Sequence, residues 1–225
     1  MGSRLCRPVD GASLAVFRIA FGALLAFDAA RYLLTDRVGE LYVGQEFHFS
    51  YPGLAWVRPW PGDLPYAHFA LLGACAVLVA VGWRYRAASI VLWFLTSTWF
   101  LWERAKYQNH EYLLCLFASL LACMPAERVF SLDARRRPRG PWVPAWSLDL
   151  LRFQVAVPHF FGGLAKLNGD WLRGEPMGMW LSERSDIAWI GPFLAQPWAP
   201  LLFSYGGLAL DLLLIPALLW RRPPR

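Results

Sequence analysis

Six apolar runs separated by more polar segments constrain the fold of this chain more than any other feature. They cover residues 13–33, 66–83, 87–102, 112–124, 147–167 and 199–220. A helix needs about 20 mostly apolar residues to cross a bilayer, and all but one of the runs approach that length. Only 17% of the residues are charged, against about 25% in soluble domains. We therefore predict an all-α, polytopic membrane helical bundle of about five to six transmembrane helices, forming a single domain over residues 1–225.

The basic residues predict how the bundle lies in the membrane. Of the 22 basic residues 20 are arginines, and most lie at the ends of the apolar runs. With a cytoplasmic N-terminus, the inner segments hold 12 basic residues and the outer segments hold 7. The positive-inside rule favours that orientation. We therefore expect an integral protein of the plasma or inner membrane with both termini in the cytoplasm. The net charge then reflects topology, and no nucleic-acid partner is predicted.

This topology places three polar segments on the non-cytoplasmic face. Residues 35–65 and 166–196 form long loops rich in aromatic residues and proline, and residues 103–113 form a dense polar island between two apolar runs. Long loops in compact proteins are frequently functional. We expect the loops to form a non-cytoplasmic cap and the functional site to lie on that face.

The polar island holds Lys106, one of only two lysines in the chain, and His110. Residues four apart share a face if the segment is helical. Near the membrane boundary, desolvation lowers the pKa of a lysine, which makes Lys106 a candidate general base. His110 is a candidate proton partner. A second interpretation stays open, in which Lys106 and Arg104 only extend to lipid headgroups.

The other lysine, Lys166, begins a second polar cluster at the same expected face. His159 lies about two helical turns below it, where it lines a cavity or is a hydrogen-bonded core histidine. We predict that Lys106, His110 and Lys166 converge on one pocket, polar at its rim and lined below by the third to fifth spans. Such a pocket suits a ligand with a ring and a tail.

Four charges lie inside the first and the last apolar run, where an isolated charge is costly. Arg18, Asp28 and Arg31 are in the first run and Asp211 is in the last. For Arg18 and Asp211, a proton path or substrate contact is one interpretation, and the one we favour is a structural role in an ion pair or in hydrogen bonds at a helix end. We predict that Arg18 or Arg31 pairs with Asp28 or Asp211. The four cysteines have no metal-type spacing, so no metal site is predicted.

Three stretches resemble one known family. They are Gly82-Trp83-Arg84-Tyr85-Arg86, the island ending in Asn109-His110-Glu111-Tyr112-Leu113, and the run from Phe160 to Met177 that contains Lys166-Leu167-Asn168-Gly169-Asp170-Trp171. Together they resemble the vitamin K-dependent gamma-carboxylase family, which shares the horizontally transferred transmembrane (HTTM) domain. The resemblance extends over nearly the whole chain.

The resemblance implies an epoxidase and lyase activity. A base deprotonates reduced vitamin K or another quinone, O2 converts the cofactor to an epoxide, and the strong base so formed removes a proton from a peptide glutamate that captures CO2. The implied partners are the lipid bilayer and a peptide or protein substrate. Our candidate catalytic residues for this chemistry are Lys106 or Lys166 as the base, with His110 and His48 as proton partners. The implied substrate- or cofactor-binding residues are Arg104, Asn109, Tyr112, His159, Asp170 and Trp171.

Two departures from the family pattern matter. An ungapped match on Asn109 and His110 places Arg104 where the family has its lysine, and arginine cannot act as a base. Lys106 follows two residues later, a rotation of about 200° on a helix. We also expect the chain to lack the large C-terminal region of the carboxylases. The alternative is therefore a non-catalytic membrane subunit or maturation factor that binds a partner protein or lipid, and a transporter ranks third.

Overall fold

A computed structural model describes residues 5–219 of the protein. The two ends of the chain, including the basic tail, lie outside these residues, so the predicted location of the termini is not addressed by them. The chain forms two compact units, Met1–Asp149 and Leu150–Arg225. Helices dominate both units, as the apolar runs predict.

The first unit is built from four long or medium helices and several short elements. The helices are α1 (Ala12–Leu34), α2 (Leu64–Val81), α3 (Tyr85–Leu101), α4 (Asn109–Cys123) and the short α5 (Leu132–Arg136). α1 packs on α2, α2 on α3 and α3 on α4. Two short antiparallel strands, β1 (Pro8–Asp10) and β2 (Trp142–Pro144), pair with Val9 opposite Val143. Single turns of helix cover Gly39–Val43, Arg104–Lys106 and Ala126–Arg128.

Two glycines allow the close packing and the tight turn of the first pair of helices. A Cβ atom at Gly22 would lie 2.6 Å from the carbonyl oxygen of Ala76, so α1 and α2 approach each other where the residue has no side chain. Small residues at helix crossings are typical of membrane bundles. At the end of α2, Gly82 has a φ of 66° and terminates the helix in the left-handed conformation, which glycine adopts without steric cost.

Arg18 is fully buried and joins three segments of the first unit. Its guanidinium donates hydrogen bonds to the carbonyl oxygens of Val79 and Ala80 at 2.8 and 3.0 Å, and to that of Phe130 at 2.6 Å. The last carbonyl groups of a helix lack partners within the helix and carry a partial negative charge. Arg18 therefore satisfies the end of α2, which is the structural role favoured from the sequence.

The second unit contains most of α6 (Ala145–Ala165), together with α7 (Gly169–Leu172), α8 (Glu175–Ser182), α9 (Gly191–Leu194) and α10 (Ala199–Leu219). α8 packs on α10. Leu181, Leu194 and Ala199 form a small apolar core with Met177 against it. α6 contains Pro158 and α10 contains Pro216, and both helices continue past their prolines.

Three described helices are long and apolar enough to cross a membrane: Ala12–Leu34, Leu64–Val81 and Ala199–Leu218. They confirm a mostly helical protein of the integral membrane type. α4 has 15 residues, a length of about 22 Å at 1.5 Å per residue, which is shorter than the hydrocarbon core of about 30 Å. The total of about five to six crossings, the loop cap and the single domain stay predictions.

Candidate functional site

The polar island between α3 and α4 is a capped turn followed by extended chain. The Glu103 side chain caps the 3-10 turn Arg104–Lys106 by accepting a hydrogen bond of 2.9 Å from the backbone N–H of Ala105. Gln108 is extended, with φ −132° and ψ 135°, and α4 begins at Asn109. The prediction that Lys106 and His110 share one helix face is therefore wrong. The turn ends after Lys106, where Tyr107 leaves the helical conformation with ψ 125°, and the non-helical Tyr107 and Gln108 separate the two side chains.

Glu103 also holds the loop that contains His48. The carboxylate is 7% exposed. It accepts a hydrogen bond from the backbone N–H of Phe49 at 3.1 Å, and it lies 3.2 Å from Nδ1 of His48. The backbone N–H of Arg104 donates to the Phe49 carbonyl at 2.8 Å. One buried carboxylate thus orients His48 and fixes the loop against the island.

Lys106 is held against the protein. Its Nζ atom donates a hydrogen bond of 2.7 Å to the carbonyl oxygen of Leu41 and lies 4.6 Å from the ring centroid of Tyr42. Burial lowers the pKa of the Lys106 ammonium below its usual value, against the opposing effect of the Glu103 and Glu111 carboxylates. Within residues 5–219, Lys106 has no carboxylate at ion-pair distance. The interpretation in which this lysine extends to lipid headgroups does not fit these contacts.

A cavity of about 550 Å³ lies between α1 and α4, and we call it the α1–α4 cavity. Its apolar walls include Phe17, Phe21, Leu24, Leu113, Leu114 and Phe117, and its polar residues are Asp28, Arg31, Arg37, Gln108, His110 and Glu111. Arg31 pairs with Asp28 at 2.5 Å, which confirms the predicted ion pair. His110 lines the cavity as expected, but α1 and not α3 forms the facing wall.

Lys106 does not line this cavity. It interacts electrostatically with Glu111, which does line it. Glu111 is thus the cavity residue whose charge acts on the candidate base, a role that the sequence interpretation did not assign. The sequence feature that could have indicated this role is Glu111 itself, the second carboxylate of the polar island. Lys166 belongs to the second unit, and its convergence with Lys106 and His110 stays a prediction.

A second concave site adjoins His48. A pocket of about 430 Å³, which we call the His48 pocket, is lined by Phe47, His48, Phe49, Ser50, Arg58, Arg104 and Ala105. Arg104 is exposed, as is Arg58, whose Nε donates to the Ala55 carbonyl at 3.1 Å. Two guanidinium groups beside a histidine give the pocket a positive character that suits an anionic group.

The other two predicted residues of the island lie on the surface of α4. Asn109 is its first residue and is exposed. Tyr112 is 47% exposed, and its ring packs against Phe100 with 5.7 Å between the centroids. Neither residue lines the α1–α4 cavity or the His48 pocket.

In the second unit, Asp211 joins the two remaining candidate residues. Its carboxylate accepts a hydrogen bond of 2.5 Å from Nζ of Lys166 and lies 2.7 Å from Nδ1 of His159. The Lys166 amine also lies 5.1 Å from the Trp171 ring, whose Nε1 donates to the Ser204 carbonyl. These contacts form a charged Lys166–Asp211–His159 cluster. The sequence interpretation favoured a structural partner for Asp211 but did not identify this one.

Two small residues on α6 allow this cluster to form. A Cβ atom on Gly162 would meet Asp211 Oδ2 at 3.2 Å, and one on Gly163 would meet Leu212 Cδ2 at 2.8 Å. Asp170, by contrast, is exposed and pairs with Arg173 at 2.5 Å. The structure therefore brings His159 and Lys166 together at Asp211, with the Trp171 ring beside Lys166, and leaves Asp170 at the surface.

The comparison with known families decides the classification. The HTTM domain family matches residues 6–224. The chain belongs to the HTTM domain family. The match confirms the resemblance found in the sequence and points to the gamma-carboxylase-like group of membrane proteins. No solved structure matches the chain.

Proposed function

We propose that this HTTM-domain protein is a membrane enzyme that binds a reduced quinone-like cofactor in the α1–α4 cavity and starts its oxidation by removing a proton. The observation that carries the proposal is the cavity itself, apolar on its walls and polar where His110 and Glu111 line it. The half-buried amine of Lys106 interacts with Glu111.

The cavity fits the size and polarity of such a cofactor. Its volume of about 550 Å³ lies within the range of about 300–1,000 Å³ that is typical of small-molecule sites. Aromatic and leucine side chains suit a ring and an isoprenoid tail, whereas His110, Gln108 and Arg37 offer hydrogen bonds to ring oxygens. A bound reduced quinone would supply the hydroxyl group whose deprotonation starts the reaction with O2.

Lys106 is the residue to which we assign the role of base. Its burial favours the neutral amine, which is the form that accepts a proton. Lys166 is already paired with Asp211, whereas the close partners of Lys106 among residues 5–219 are a carbonyl oxygen and an aromatic ring. Glu111 and His110 line the cavity and are the groups through which a proton would pass to Lys106.

The His48 pocket is our proposed site for the anionic group of a peptide substrate. Arg58 and Arg104 supply positive charge there, and Glu103 orients His48. A glutamate side chain bound in this pocket would be the group that is modified, with CO2 as the second substrate if the reaction is a carboxylation. Arg104 thus has a binding role in this proposal although it cannot act as the base.

A non-catalytic subunit or maturation factor is the second candidate function, and one observation favours it. Phe47, Phe49 and Trp56 are 68%, 58% and 80% exposed on the loop between α1 and α2. Exposed aromatic side chains are typical of surfaces that contact a partner or the membrane interface. In this alternative the loop binds a partner protein and no quinone is consumed.

Filling the cavity tests the proposal at the level of binding. Leu24→Trp narrows the α1–α4 cavity, whereas Val16→Trp, on the same helix and also exposed, is the matched control outside its lining. The measurement is photolabelling of each protein in lipid nanodiscs by an azido-naphthoquinone. We expect Leu24→Trp to lose the label from α1 and α4 and Val16→Trp to keep it. Equal labelling of both variants would contradict the proposed site.

A further inference from the structure

A third concave site lies at the turn between α2 and α3, on the face predicted to be cytoplasmic. It is a pocket of about 470 Å³, which we call the arginine pocket. Six arginines line it: Arg84, Arg86, Arg128, Arg136, Arg137 and Arg139. Its acidic residues are Glu127 and Asp133. The pocket therefore carries an excess of positive charge that the proposed enzyme activity does not use.

The two carboxylates leave most of this charge uncompensated. Asp133 accepts hydrogen bonds from the backbone N–H groups of Arg84 and Tyr85 at 3.1 and 2.8 Å, so it caps the start of α3. In the part of the chain that the structure describes, none of the six arginines forms an ion pair with a carboxylate. The charge is thus available to an external anion.

Some of the arginines are positioned by the protein itself. Arg86 donates to the Ala122 carbonyl at 3.0 Å, and Arg128 donates to the Arg139 carbonyl at 3.1 Å. The guanidinium carbons of Arg84 and Arg136 lie 5.7 and 6.0 Å from the Trp83 ring centroid. Arginines held in this way lose less conformational entropy when they bind a ligand.

A buried donor in the pocket lacks a partner. Nε of Arg128 is inaccessible to solvent and has no hydrogen-bond acceptor among residues 5–219, and the buried Oε2 of Glu127 likewise has no donor there. Such an orphaned group is costly unless an acceptor reaches it. The three acceptor oxygens of a phosphate group match a fork of guanidinium donors.

We propose that the arginine pocket binds a phosphate group, carried by an acidic phospholipid headgroup or by a soluble phosphate compound. Both sources present the same chemistry to Arg128 and Arg136. The predicted cytoplasmic location places the pocket at the leaflet where anionic lipids attract basic segments. The proposal stands on the pocket alone and does not depend on quinone chemistry.

The test compares two double variants of the full chain in mild detergent. Arg128→Gln with Arg136→Gln changes the pocket, and Arg173→Gln with Arg184→Gln removes two exposed arginines outside it. Native mass spectrometry measures retention of phosphatidylglycerol against phosphatidylcholine, and phosphorus NMR titration with pyrophosphate tests the soluble source. Monodisperse gel filtration of each variant confirms that it is folded.

We expect the affinity of the pocket variant for its phosphate probe to fall about 30-fold, since each of the two arginines contributes about 1 kcal/mol. The control variant should keep the wild-type affinity. Loss confined to phosphatidylglycerol assigns the site to a lipid headgroup, and loss confined to pyrophosphate assigns it to a soluble phosphate. Equal binding by the two variants would overturn the proposal. So would a wild-type protein that does not prefer phosphatidylglycerol to phosphatidylcholine and does not bind pyrophosphate.

Discussion

The Nζ atom of Lys106 donates a hydrogen bond of 2.7 Å to the carbonyl oxygen of Leu41. This contact joins the turn at Arg104–Lys106 to the turn at Gly39–Val43, which contains Leu41 and also Tyr42, whose ring contacts the amine. A carbonyl and a ring do not neutralise an ammonium as a carboxylate would. The contact therefore positions the amine and leaves it able to exchange a proton.

The first prediction concerns the acidity of Lys106. Because burial lowers its pKa, the neutral, reactive amine appears at a lower pH than in a free lysine side chain. Trace labelling with acetic anhydride at a series of pH values, read by mass spectrometry of the Lys106 peptide, measures this directly. We expect a midpoint below that of N-acetyl-lysine amide labelled in the same tube. A midpoint equal to or above that reference would show that the site does not favour the neutral amine.

The second prediction concerns the Lys166–Asp211–His159 cluster. Asp211→Asn removes the charge that compensates Lys166 and should lower the free energy of unfolding by about 3 kcal/mol, as expected when one partner of a buried pair is lost. Asp170→Asn is the control, since its pair with Arg173 is exposed and should contribute less than about 1 kcal/mol. Unfolding by sodium dodecyl sulfate in mixed micelles measures both values. Equal values for the two variants would rule out a stabilising cluster.

A third prediction follows from the contacts of Arg18. Arg18→Met leaves the carbonyl groups of Val79, Ala80 and Phe130 without their donor. Hydrogen bonds to charged groups contribute about 1.5–3 kcal/mol each, so we expect a loss of at least about 3 kcal/mol of stability in the same unfolding assay. Arg135→Met, on the exposed surface of α5, should have little effect. A small effect of Arg18→Met would mean that water replaces the guanidinium at the end of α2.

The sequence predicted the helices better than it predicted the site. Apolar length marks α1 and α2 within a few residues, and i,i+3 spacing was enough to pair Asp28 with Arg31. The island was different because the chain leaves the helical conformation at Tyr107 and Gln108, within a segment whose spacing resembles a helix. The spacing of Lys106 and His110 therefore predicted a shared face that the backbone does not provide.

Contacts between distant segments were also beyond the sequence pattern. Asp211 meets Lys166 and His159 across about 50 residues of chain, and no local periodicity indicates such a pairing. Likewise, the contact of Lys106 with Leu41 depends on a backbone carbonyl, which carries no sequence signal. The sequence did indicate which residue types the candidate site contains, because both lysines lie in polar clusters.

The fourth prediction tests the orientation of the protein in the membrane. Cys6 is exposed beside β1 and should face the cytoplasm, whereas Glu46→Cys introduces an exposed thiol in the loop predicted to face outward. An impermeant maleimide applied to intact cells should label Glu46→Cys and should label Cys6 only after permeabilisation. The reverse pattern would invert the topology and place the candidate site on the cytoplasmic side.

Turnover of a reduced quinone tests the central claim most directly. The measurement is epoxide formation from reduced vitamin K by the purified protein in nanodiscs under O2, with wild type, Lys106→Ala and Lys106→Arg compared at equal amounts of folded protein. Loss of a general base lowers a rate by about 100-fold or more, so both variants should fall at least that far. Arginine keeps the charge but cannot accept the proton, and it should therefore be as inactive as alanine. Wild-type protein that forms no epoxide, or Lys106→Ala that retains the wild-type rate, would contradict the account.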